Sequence, residues 1–250
     1  IKKQFGNSSD IVFRELTIGS EIKIKSAIIY IEGLVDKTLI NESILKPLLI
    51  EARIADNENS SIPDSIIKLI QSRTITTGDV KDTTELNYII DCVLTGETAI
   101  LVDGYKEALI IGTRGWEERG VDEPETEVLV RGPREGFTET LRTNTSLLRR
   151  KIHNPNLIFE TMKIGQRTKT DVCIAYLKGI TNKKLIKEIK KRLQRIKTDA
   201  ILESGYIEEF IEDAPFSPFS TIANSERPDV VAGKILEGRA AILVDGTPFV

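Results

Sequence analysis

The sequence predicts an α/β protein: two duplicated mixed-sheet α/β subdomains, bilobal in outline, joined by a connector that does not repeat. Two internal echoes predict the duplication. Residues 91–104 (DCVLTGETAILVDG) match residues 233–246 (GKILEGRAAILVDG) at Leu94, Gly96, Ala99, Ile100, Leu101, Val102, Asp103 and Gly104, a spacing of 142. Residues 10–42 lie without a gap on residues 156–188, with eleven of thirty-three positions identical at an offset of 146. Two long copies in one order indicate a duplicated unit, not a solenoid of short repeats. A third observation sets the class: in each copy, segments of period-two alternation give way to segments of helical spacing, the pattern of a sheet with helices packed on it. The expected boundaries are 1–112 for the first subdomain, 113–155 for the connector and 156–250 for the second.

In the first copy, Ile11 to Ile18 and Ile22 to Glu32 read as strands, the second alternating through Ile22, Ile24, Ser26, Ile28 and Tyr30 before Gly33 ends it. Asp36 is placed to cap a helix carrying Leu39, Ile40, Ile44 and Leu48, which Pro47 is expected to bend or end. A second apolar helix is expected from Pro63 through Ile66, Ile67 and Ile70, and a third from Thr84 to Leu94. Asp103-Gly104 between two apolar runs signals a hairpin, because glycine accepts positive φ and aspartate bonds its own backbone. The second copy repeats the scheme. Strands are expected at Leu157 to Ile164, Val172 to Lys178 and Ala240 to Val244, and helices at Asn182 to Lys197, around Ile207 to Ile211, and at Pro228 to Leu236. Between the copies lie a Gly-rich, charge-rich stretch and a helix, TETLRTNTSLLRRKI.

Composition narrows the function. A chain of 250 residues with 40% hydrophobic and 29% charged residues is ordinary for a globular protein, and its net charge of −3 recruits neither nucleic acid nor anionic lipid in bulk. Cys92 and Cys173 have no paired spacing, so no disulfide framework is expected and a reducing compartment fits. No uncharged apolar run approaches the length of a membrane span, and no signal peptide opens the chain, so the region reads as soluble. The pairing run Ala108 to Ile111 has its counterpart mostly beyond Val250, and the chain starts without methionine, so a fragment of a longer protein is expected.

Enzyme motifs are absent from the sequence. It contains no G-x-S-x-G elbow, no P-loop and no G-x-G-x-x-G after a strand, and the single histidine, His153, precedes Asn154-Pro155 in a turn. Neither a His-based metal cage nor a Ser-His-Asp triad can be assembled, so no catalytic residue, metal or cofactor is expected. Glu117-Glu118 and Asp122-Glu123 read as a solvated loop.

Three stretches carry a resemblance: Gly132-Pro133-Arg134-Glu135-Gly136-Phe137, then Arg142 to Arg150 (RTNTSLLRR), then Ser225-Glu226-Arg227-Pro228-Asp229 with Glu237-Gly238-Arg239 through Asp245-Gly246-Thr247-Pro248-Phe249. They resemble signatures of the GerA spore germination proteins, specifically the A-type subunit of nutrient germinant receptors, the loop Ser217-Pro218-Phe219-Ser220 departing by one missing proline. The resemblance implies the soluble N-terminal region of a subunit whose remaining part spans the spore inner membrane, with this region on the core side. It also implies a permease-like B subunit and a lipoprotein C subunit as partners. Such receptors respond to amino acids, sugars or nucleosides and commit the spore to germinate, through ion release.

Against that background the polar residues of the connector become candidates. Arg131, Arg134 and Glu135 flank a Gly-Pro turn at the junction of the expected lobes, where an arginine can clamp a carboxylate of the other lobe, of a ligand or of a partner subunit. Phe137 and Asn144 lie in the same signatures. Glu226, Arg227 and Asp229 read either as a helix start with an internal ion pair or as ligand contacts. Trp116, the only tryptophan, either packs the connector or stacks on a nutrient ring or a partner. The helix NKKLIKEIKKRLQRIK sets Lys183, Lys184, Lys187, Lys190, Lys191 and Arg195 around an apolar stripe, a solvated face or a surface for a partner or anionic head groups.

Overall fold

The computed structural model describes residues 1–18, 23–51, 80–115, 124, 127, 131–213 and 221–250. The chain forms two units: Ile1–Lys2 with Asp10–Trp116, and Lys3–Ser9 with Glu117–Val250. The stretch read as a separate connector is therefore divided, its helix belonging to the second unit. The expected helix at Pro63 to Ile70, Trp116, the 117–118 and 122–123 carboxylates and the loop at 217–220 lie outside the described residues.

The first unit holds a five-stranded sheet in the order β1-β2-β4-β5-β3, with β1 Ile11–Ile18, β2 Ile24–Ile31, β3 Val80–Thr83, β4 Thr98–Val102 and β5 Ala108–Ile111. Every pairing is antiparallel, where a mixed sheet was predicted. The reason is geometric: after β2, the excursion through helices and β3 re-enters the sheet beside the end at which β2 leaves it, pairing Ala99 with Ile29. On one face, Ile18, Ile28, Ile100, Leu109 and Ile111 pack with Ile40, Ile44 and Leu48. The helix carrying those last residues opens as α1, Lys37–Leu39, capped by the Asp36 carboxylate accepting from the Thr38 and Leu39 N–H groups. It continues in wider π turns through Ile40–Leu45 and Pro47–Glu51. Pro47, which lacks an N–H, is absorbed by those turns instead of ending the helix. Helix α2, Leu86–Leu94, lies against β2 and β4.

The second unit holds a three-stranded antiparallel sheet, β6 Leu157–Ile164, β7 Thr170–Leu177 and β8 Ala240–Val244, with β7 central. Helices α3, Leu141–Lys151, and α6, Pro228–Leu236, share one core with Leu157, Phe159, Cys173, Ala175 and Leu243. Helices α4, Lys183–Arg195, and α5, Ser204–Ile211, share another with Ile164, Val172, Ile174 and Val244. The Asn182 side chain caps α4 by accepting from the Lys184 N–H.

The two units use one register. Ile11 pairs with Ile31 as Leu157 pairs with Leu177, each residue 146 positions on. Ile28 pairs with Ile100 as Ile174 pairs with Ile242, offsets of 146 and 142. The Asp103 N–H donates to the Lys25 carbonyl and the Asp245 N–H to the Asp171 carbonyl, at 2.8 and 2.9 Å.

Gly96, after α2, has φ +92, and a Cβ there would lie 2.8 Å from the Leu34 carbonyl oxygen; Gly104, φ +87, has nothing within 4 Å. Gly104→Ala should cost about 1–2 kcal/mol from backbone strain alone. Gly96→Ala should cost more, read as the lower midpoint of the two in urea unfolding.

Candidate functional site

The residues singled out between 131 and 150 converge on one structural device. Asn144, in the second turn of α3 and fully buried, turns its amide back on Thr138. Its Oδ1 accepts from the Thr138 N–H at 2.7 Å, and its Nδ2 donates to the Thr138 carbonyl at 2.6 Å. A side-chain amide thus pairs with a peptide group as a neighbouring strand would, fixing the chain entering α3. Phe137, just before it, is buried in the α3 and α6 core, and its N–H donates to the Glu226 carbonyl at 2.7 Å.

Glu135 reaches forward to the end of the same helix. Arg150 Nη2 donates to Oε1 and Lys151 Nζ to Oε2, both at 2.8 Å. The Lys151 hydrogen bond, with Arg150 beside it, holds the Glu135 carboxyl below its ordinary value against the opposing effect of partial burial. Arg131 and Arg134 are exposed on the same segment.

Around α6, Arg227 closes on Asp229, with Nε to Oδ1 at 3.2 Å and Nη2 to Oδ2 at 2.5 Å, a bidentate clamp across the first turn. Pro228 stands in that first turn, where a missing N–H costs nothing. Glu226 is buried, and its N–H donates to Glu127 Oε2, which also accepts from Ser225 Oγ. These residues are brought together in the second unit, on the α3 and α6 side of its sheet, and Glu135, Asn144, Arg227 and Asp229 are all engaged within it.

The basic helix α4 is divided. Lys190 bridges Glu160 of β6 at 2.5 Å, and Glu160 also accepts from the Tyr176 hydroxyl at 2.6 Å. Burial together with the Glu160 carboxylate pushes the Tyr176 phenol up. Lys191 stands 3.7 Å from Glu188, and Lys183, Lys184, Lys187 and Arg195 are exposed.

Sequence reasoning passed over Arg149. It is fully buried under α3, donating to the Asn154 and Leu157 carbonyls at 3.0 Å and to Ser8 Oγ at 3.4 Å, with its guanidinium 5.0 Å from the Phe159 ring centroid. Ser8 Oγ in turn accepts from the Phe159 N–H, and the Ser9 N–H donates to the Phe159 carbonyl, so the N-terminal segment Lys3–Ser9 is laced onto β6. Helical phase does not single it out, because Asn144 to Leu148 before it are all buried as well.

Among the described residues no group of three His, Cys, Asp or Glu side chains is placed to hold a metal, and no helix is long and apolar enough to cross a membrane. The fold and these contacts define a class: a module of two helix-backed antiparallel sheets whose signature residues secure its second unit. The family profile described as Bacillus/Clostridium GerA spore germination protein matches residues 1–250, and the chain belongs to the GerA family. It is 47% identical over 249 residues to spore germination protein KA of Bacillus subtilis, covering 100% of this chain and 44% of that protein. Spore germination protein B1 of the same organism is 39% identical over 249 residues, 100% of this chain and 50% of its own. The chain thus spans about half the length of the curated relatives it matches. Among solved structures it matches the N-terminal domain of the A subunit of the Bacillus megaterium spore germinant receptor GerK3, with a TM-score of 0.75 and 42% identity over 99% of this chain and 89% of that one.

Asn144→Ala should cost about 1–3 kcal/mol in chemical denaturation, because the Thr138 peptide group loses both partners. Glu135 titrates lower folded than unfolded, so its contribution is fully present above the ordinary carboxylate value of 4.5 and is lost as pH falls through the lower folded value. The stability gap between the natural chain and Glu135→Gln should therefore be constant at neutral pH and close only below pH 4.5.

Proposed function

We propose that this chain is the N-terminal region of a spore germinant receptor A subunit, a non-enzymatic module taking part in nutrient sensing by carrying the signal between the receptor's subunits. The match over 99% of the chain to the N-terminal domain of such a subunit carries the reading. In it, the module stands on the core side of the spore inner membrane beside the permease-like B and lipoprotein C subunits. The engagement of Glu135, Asn144, Arg227 and Asp229 within the second unit favours transmission and assembly over direct capture of a small nutrient by those side chains.

Spores in which the gene is deleted should lose their response to at least one amino acid, sugar or nucleoside, read as the fall in optical density on germination. A normal response to every nutrient that triggers the parent strain would overturn the reading. An amide chemical-shift titration of the 250-residue chain with single amino acids, glucose, inosine and potassium then locates the nutrient. Spectra unchanged at millimolar ligand are expected; saturable shifts around Arg131 to Phe137 would move nutrient binding into this module.

A further inference from the structure

The shared register of the two units makes one difference between them informative. In the first unit β4 is flanked on both sides, by β2 and β5, and Thr98, Ala99 and Ile100 are buried. In the second unit β8 has β7 on one side and, among the described residues, no strand on the other, and the counterparts Ala240, Ala241 and Ile242 are only half-buried. The difference extends to the nearby loops. Leu34 and Leu94 are 2% and 1% exposed, whereas their counterparts Ile180 and Leu236, 146 and 142 positions on, are 57% and 52% exposed. In the first unit Leu34 is covered by the chain that follows β5. The Gly115 N–H donates to the Leu34 carbonyl at 3.1 Å, the Asp36 N–H donates to the Thr113 carbonyl at 2.8 Å, and Arg114 bridges to Val35.

The second unit already carries the first rung of the corresponding ladder. In the first unit β5 pairs with β3, beginning at Ala108 opposite Thr83. Adding 142 to both gives Val250 and Ser225, and these two exchange both backbone hydrogen bonds, at 3.0 and 3.1 Å. The resemblance includes the side chain: Thr83 Oγ1 accepts from the Glu85 N–H at 3.2 Å, and Ser225 Oγ accepts from the Arg227 N–H at 3.1 Å. The matched GerK3 structure is an N-terminal domain, so in that receptor subunit further chain follows.

We infer that the outer edge of β8 and the segment Ala223–Ser225 form a receiving site for one more antiparallel strand, and that its occupant is the stretch directly following Val250 in the longer protein. Adding 142 to Leu109–Ile111 places that strand at positions 251–253, and adding it to Thr113–Gly115 places the cover of Ile180 at 255–257. The strand pairs with an edge of β8 that no described strand covers, and a bare edge templates aggregation. It also makes the exit from this module a sheet strand and not a loose tether. The mechanical consequence rests on the germinant-receptor reading, since a strand held on both sides passes displacement directly to whatever follows; the strand itself does not rest on it.

The test compares the 250-residue chain with the natural chain carried past position 257. Amides of Ala240–Val244 and of Ala223 and Asn224 should exchange with solvent at least about tenfold more slowly in the longer chain. Ile180→Cys should be labelled by a thiol reagent about tenfold more slowly there, the native Cys92 and Cys173 being buried. Proline at position 252 of the longer chain should abolish the added protection. Equal exchange and equal labelling in two folded chains would overturn the proposal, and so would protection that rises with protein concentration, the mark of a strand supplied by a second copy.

Discussion

The structure depends on two interior strands, β2 and β7, each paired on both sides in a register that cannot slip. Moving either by one residue would turn Ile28 or Ile174 out of its core and bring the opposite face in. The Asp-Gly turns secure that register from outside, since the N–H of Asp103 or Asp245 reaches back to the strand beside it. With the register set, the two faces of each sheet are assigned, and in the second unit each helix pair has its own face, α3 and α6 on that of Cys173 and Ala175, α4 and α5 on that of Val172 and Ile174.

In the second unit the same economy governs the polar residues. Asn144 supplies the hydrogen bonds of an absent strand to Thr138, Glu135 ties the incoming chain to the last turn of α3, and Arg149 satisfies the carbonyls beneath that helix. The N-terminal segment joins through Ser8 and Ser9 on β6. Between them these contacts hold the connector and the N-terminal segment to the second unit. That is a reasonable design for a module whose proposed work is to carry displacement. A chain that must transmit force needs its polar residues committed to fixed contacts.

Much of the fold was legible in the sequence, for definite reasons. Period-two alternation set β2, and Asp36 marked a helix start because a short side-chain acceptor there satisfies the open N–H groups of the first turn. The candidate site was legible as a set of positions and not as an arrangement. Glu135 carries the chemistry to hold a ligand ammonium, and nothing in its spacing tells that Arg150 and Lys151 would take that role, whereas the internal ion pair read at Arg227 is the one the structure shows with Asp229. Arg149 was missed because a buried arginine is rare, and composition assigns such a residue to the surface.

By itself the sequence determined what is local or repeated: the strands, the capped helices, the Asp-Gly turns and the correspondence between its two halves. These follow from backbone preference and side-chain period within a few residues. Only the tertiary structure decided that the strands pair antiparallel throughout, that Pro47 is carried inside widened helical turns, and that the connector helix and residues 3–9 belong to the second unit. Each of those depends on which distant surface a segment meets, and hydrogen-bond partners more than a hundred residues apart leave no trace in local spacing.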